Sequence, residues 1–125
     1  IVGWLRKLPN KKNLEVLNLS KNRINKITPG FIPLLNEFES LRELRIRNNT
    51  IEERSLALFI EGIRNRHIEV LDLSDNFVCG KCHSALGRLF VRLDLRELYL
   101  YDAKMDAGGL NEFLELACTK LTQSM

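Results

Sequence analysis

The sequence predicts an α/β fold: a right-handed solenoid whose short parallel strands form a concave sheet and whose helices cover the convex side. Three observations predict it. An eleven-residue pattern, apolar at positions 1, 4, 6 and 11, begins at Leu14, Leu41, Ile68 and Leu95, 27 residues apart each time, and a constant period of this size marks stacked repeats. Apolar residues at positions 4 and 6 with polar ones between describe a short strand with one buried face. About twenty residues then remain in each period, ample for the helical crossover that parallel strands require, and such crossovers are right-handed. Strands lie about 4.8 Å apart in a sheet, whereas helices pack roughly 8–10 Å apart. Stacking one of each per repeat therefore puts the sheet on the inside of an arc.

The pattern LxxLxLxxNxL, as in Leu14-Glu15-Val16-Leu17-Asn18-Leu19-Ser20-Lys21-Asn22-Arg23-Ile24 and again in Ile68–Val78, resembles the leucine-rich-repeat family. Its 27-residue length is similar to the ribonuclease-inhibitor subclass, a horseshoe-shaped solenoid. The four repeats span 14–40, 41–67, 68–94 and 95–121, and residues 1–13 align with the end of a preceding repeat, so 1–125 is expected to be one domain cut from a longer solenoid. Neither end shows the polar capping repeat that solenoids need for solubility. The resemblance implies that Asn22, Asn49 and Asn76, at position 9, form a buried ladder in which side-chain amides link successive turns. Ala103 takes that place in the fourth repeat, where the ladder should break.

The chain can be justified element by element. Leu5 and Leu8 fall 27 residues before Ile32 and Leu35, which predicts a helical start to the chain. Thr28 as N-cap and Pro29 at the first helical position predict where the first crossover helix begins, and Pro33 should keep that helix short. The second crossover has the cleanest stripe, Leu56, Phe59, Ile60 and Ile63. Leu86, Leu89 and Phe90 continue it in the third, and Leu110, Phe113, Leu114 and Ala117 in the fourth; all are expected in the core. Odd and even repeats differ: position 2 reads Glu15, Arg42, Glu69, Arg96, an alternating ladder of opposite charge across neighbouring strands.

Composition narrows the function classes. Hydrophobic residues make up 45% and charged residues 28%, as in ordinary globular domains, and no apolar run approaches the ~20 residues of a membrane span. The net charge of +3 is mild and interspersed, which argues against a nucleic-acid partner. An odd number of cysteines without a framework spacing points to free thiols in a reducing compartment, hence a cytoplasmic or nuclear, intracellular setting. The tripeptides beginning at Asn18 and Asn48 match the glycosylation acceptor pattern, which matters only in a secreted chain.

Cys79-Gly80-Lys81-Cys82-His83 has the CxxCH form of haem attachment and the CxxC of zinc sites. The fold places it in a tight turn with no convergent fourth ligand, since Cys118 lies at the far end of a crossover and His67 before a strand. No metal and no cofactor are expected. No phosphate-binding loop, zinc-protease motif or nucleophile triad is present, and no catalytic residue is assigned.

What remains is the concave face, presented by positions 3, 5, 7 and 8. Position 5 reads Asn18, Arg45, Asp72, Tyr99, and position 7 reads Ser20, Arg47, Ser74, Tyr101; Arg and Tyr are enriched at binding hot spots. Arg45 has Asp72 beside it, whereas Arg47 is flanked only by serines. The expectation is a non-catalytic interaction or assembly scaffold, part of a larger complex, that binds a protein partner through Arg45, Arg47, Tyr99 and Tyr101, with Asp72 and Asp75 setting orientation. The alternatives are a regulator of a small GTPase, resembling the Ran GTPase-activating protein, and the ligand-sensing repeat region of an innate-immune receptor.

Overall fold

A computed structural model describes residues 2–124. Four strands, β1 (Val16–Asn18), β2 (Glu43–Arg45), β3 (Val70–Asp72) and β4 (Glu97–Tyr99), form one parallel sheet in chain order. Leu17 pairs with Leu44, Leu44 with Leu71 and Leu71 with Leu98, each 27 residues from the last. The ladder continues past the strands, since Leu19 N–H donates to the Arg45 carbonyl, Ile46 to Asp72 and Leu73 to Tyr99. The repeat in the sequence is thus the register of the sheet.

The connections carry α2 (Phe31–Leu35), α3 (Glu53–Gly62), α4 (Cys82–Arg92) and α5 (Ala107–Ser124), with α1 (Val2–Arg6) ahead of the first strand. Neighbouring helices pack on one another, α1 on α2, α3 on α4 and α4 on α5. The core lies between helices and sheet. Leu44 and Leu71 from the strands meet Leu56, Phe59, Ile60, Leu86 and Leu89 from the helices there, all fully buried.

Two helix expectations are corrected. The first crossover helix starts at Phe31, after Gly30, because Thr28 and Pro29 form a turn in which the Thr28 carbonyl accepts the Phe31 N–H. Pro33 then falls in the first turn, where its missing N–H costs nothing. On α5, Phe113 and Ala117 are buried against α4, but Leu110 and Leu114 are 44% and 45% exposed. Their exposure puts them outside the face of α5 that packs on α4.

The turns leaving the strands repeat with the same period. Lys21, Asn48, Asp75 and Asp102 all have left-handed backbone, with φ between 47° and 60°. Asp and Asn tolerate that conformation better than other non-glycine residues.

Candidate functional site

The face of the sheet opposite the helices brings the predicted side chains together. The Arg45 guanidinium lies 5.6 Å from the Tyr99 ring centroid, and that of Arg47 lies 5.7 Å from the Tyr101 centroid. The two rings stack at 6.2 Å with 28° between their planes. Four side chains from β2, β4 and the residues just after them therefore form a continuous patch of π surface and cation. Tyr99 O–H donates to Glu97 Oε1 at 2.9 Å, and that bond to a carboxylate raises the phenol's pKa. Tyr101 is 63% exposed.

The two aspartates differ in burial and in partner. Asp72 is 5% exposed: it is short, lies between the longer Arg45 and Tyr99, and is covered by them. Its Oδ1 accepts the Ser74 N–H at 3.0 Å while Oδ2 faces Arg45 Nη1 at 3.8 Å. Asp75 reaches back instead, and Arg47 Nε donates to its Oδ2 at 3.2 Å. Arg47 is therefore not bordered by serines alone, because the diagonal neighbour at position 8 supplies a carboxylate that the row at position 7 lacks.

The serines have a backbone role. Ser20 Oγ accepts the Arg47 N–H at 3.1 Å, and Ser74 Oγ accepts the Tyr101 N–H at 2.9 Å. Asn18 Oδ1 takes the Ser20 N–H at 3.0 Å. Each amide at position 7 is thereby closed by a side chain from an odd repeat.

Beneath this face the side chains of Asn49 and Asn76 bridge neighbouring turns. Asn49 Oδ1 accepts from the N–H groups of Asn22 and Ile24, at 2.8 and 3.1 Å, and its Nδ2 donates to the carbonyls of Leu19 and Ile46. Asn76 repeats the arrangement toward Asn49, Ile51 and Ile46. Asn49 and Asn76 are buried, but Asn22 is exposed, because no described element packs beyond β1 to cover it. At Ala103 the side-chain acceptor is missing, and the Ala103 carbonyl takes the Val78 N–H at 2.8 Å instead.

The charged row at position 2 pairs at Glu15, Arg42 and Glu69. Arg42 lies 3.8 Å from Glu15 and 3.3 Å from Glu69. All three are solvent-exposed enough for screening to leave little net stability.

The cysteine turn is built for packing. Cys82 Sγ donates to the Glu53 carbonyl at 3.3 Å, and burial pushes the thiol up to about 12. Burial, and then the charges of Glu53 and Asp106, also raise Cys79. The buried Cys82 thiol is therefore a poor nucleophile. Gly80 has φ +52°, and a Cβ there would strike the Glu53 carboxylate, which accepts the Lys81 N–H at 3.0 Å. His83 is buried, its ring against Gly109, where any side chain would collide with it. Among the described residues no three His, Cys, Asp or Glu side chains are placed to hold a metal ion.

A second set of polar ties escaped the sequence. Asn65 Nδ2 donates to the carbonyls of Leu35 and Phe38, both at 3.0 Å, and Arg92 Nη2 donates to those of Ile60 and Ile63. Each closes the carboxyl end of the preceding repeat's helix. The available signal was position: Asn65 and Arg92 are 27 residues apart, polar at one register of the repeat.

Residues 13–35 match the model of the Leucine Rich Repeat family. With the four-stranded parallel sheet and its 27-residue register, this supports a leucine-rich-repeat protein of α/β repeat architecture. No curated protein gives a significant match to the chain. Among the described residues no helix is long and apolar enough to cross a membrane.

Proposed function

We propose that the chain is a non-catalytic scaffold that binds a protein partner on the open face of its sheet, the inside of a horseshoe of the ribonuclease-inhibitor kind. Leucine-rich repeats commonly mediate protein–protein interaction and are generally non-catalytic. The observation that carries the reading is the quartet of Arg45, Arg47, Tyr99 and Tyr101, with two stacked rings and a guanidinium beside each. Aromatic and Arg side chains held on a rigid sheet lose little conformational freedom when a partner arrives. Asp75 orients Arg47 from within the patch, and Asp72 acts beneath it. Three free cysteines suit an intracellular location; a tagged chain found in the secretory pathway and glycosylated at Asn48 would overturn that part.

The test is affinity capture from cell extract with four variants beside the parent protein, followed by identification of the retained proteins. Arg47→Ala and Tyr101→Ala should lose a protein that Glu61→Ala and Arg88→Ala retain. Loss of that same protein from the helix-side variants, with Arg47→Ala and Tyr101→Ala retaining it, would mean that the module is gripped from the other side.

A further inference from the structure

The open face is not the one surface prepared for contact. On the helix side a groove of about 430 Å³ runs between α3 and α4. Ala57 and Ala85, small and buried, line it, and Leu58 stands beside them at 61% exposure on an otherwise polar helix flank. Arg54, Lys81 and Arg88 also line it. Glu61 is the one carboxylate among the lining residues, and it is bonded to Arg88, which holds its carboxyl below the ordinary range.

We propose that this groove docks a short acidic amphipathic helix from a protein partner, a second interface independent of the open face. Three features converge on that occupant. The two alanines let a third helix approach closely, as small residues do wherever helices pack tightly, and Leu58 supplies an apolar contact beside them. Arg54 and Lys81 lie at the starts of α3 and α4, where both helix dipoles present their positive ends. Glu53, at the same end, is turned onto the Lys81 N–H and does not pair with either cation. The groove therefore carries an excess of positive charge over an apolar strip, complementary to acidic residues flanking an apolar stripe. A 10-residue α3 is about 15 Å long, so the partner helix needs two to three turns.

The probes are fluorescein-labelled synthetic peptides of fourteen residues, rich in Glu, with leucines spaced i, i+4 or i, i+3, i+7. Matched peptides carry Lys in place of Glu, and vesicles containing phosphatidylserine form a further arm. Fluorescence anisotropy should show saturable binding of at least one acidic peptide. Leu58→Asp, an exposed substitution whose fold is checked by circular dichroism, should weaken it about tenfold, and Arg54→Glu about threefold. The Lys peptides should bind at least about tenfold more weakly. Tyr101→Ala should bind the acidic peptide like the parent protein, which separates this result from the fate of the open-face reading. No saturable binding by any acidic peptide would overturn the proposal, as would unchanged affinity in Leu58→Asp or equal binding of the Lys peptides. Vesicle binding that depends on Leu58 without peptide binding would assign the groove to an anionic membrane and overturn it equally.

Discussion

Odd and even strands carry out different work on one surface. At positions 5 and 7 of the repeats of β1 and β3 the outward side chains are short and polar, Asn18, Ser20, Asp72 and Ser74, and every one of them accepts a backbone N–H at position 7 of its own or the following strand. Around β2 and β4 they are Arg45, Arg47, Tyr99 and Tyr101, which meet one another through rings and guanidinium groups. Ser74 is wholly buried, while Tyr101 is 63% exposed. The two-repeat unit thus separates closure of the backbone from presentation of a surface. Short acceptors tie the sheet at alternate strands, and the strands between are free to hold large side chains outward.

The ladder beneath both strand types should matter most. Asn49→Ala removes two acceptor and three donor bonds that tie the second repeat to the first and close the turn on its own strand. Buried partners left without a replacement make the expected loss about 2–3 kcal/mol, read from the denaturant midpoint at constant slope. A midpoint unchanged by the substitution would show that the turns close without the amide.

The comparison itself is tested by a double dissociation. Arg47→Ala and Tyr101→Ala should weaken the partner complex by about 2 kcal/mol and alter stability by less than about 0.5 kcal/mol. Asp72→Ala and Ser74→Ala should do the reverse, costing about 1–2 kcal/mol of stability through unpaired N–H groups. Asp72→Asn should keep most of it, since Asn18 already performs the same bond with an amide. Equal effects of both classes on both readouts would dissolve the division between strands.

Much of this arrangement was legible in the sequence, for a physical reason. Residues that repeat every 27 positions are laid side by side by parallel pairing, so Leu17, Leu44 and Leu71 announce both the strand and its neighbours. The juxtaposition of Arg45 with Asp72 followed in the same way. What the pattern hid were contacts that leave the row. Asp75 reaches Arg47 on the diagonal, and Asp72 is buried because its neighbours are larger, a property of side-chain length that a list of polar positions does not contain. Helix starts were less legible: Thr28-Pro29 carries the usual signal, yet the chain turns there before Phe31. The exposure of Leu110 and Leu114 depends on what packs beyond α5, which no periodicity within the chain encodes.

The smallest expected effect concerns the place where the ladder stops. Ala103 stands 27 residues after Asn76 and is buried, and its carbonyl accepts the Val78 N–H at 2.8 Å. In the turns before it, the asparagine Oδ1 takes that role, and Nδ2 donates to carbonyls of its own strand and the one before. An asparagine side chain introduced in place of Ala103 can therefore donate to Leu73 and Leu100 and accept from Asn76 and Val78. It also has to bury an amide and displace an existing backbone bond. New bonds are worth about 1 kcal/mol net each, and the bond lost is of the same kind, so Ala103→Asn should raise stability by no more than about 1 kcal/mol. Crystallographic observation of the introduced amide in the same pose as that of Asn76, with a raised denaturant midpoint, would show that the fourth turn is equivalent to the others and merely lacks the side chain. A clear loss of stability would show that the Val78 to Ala103 bond commits β4 to a different closure, and the repeats would then differ in backbone as well as in side chains.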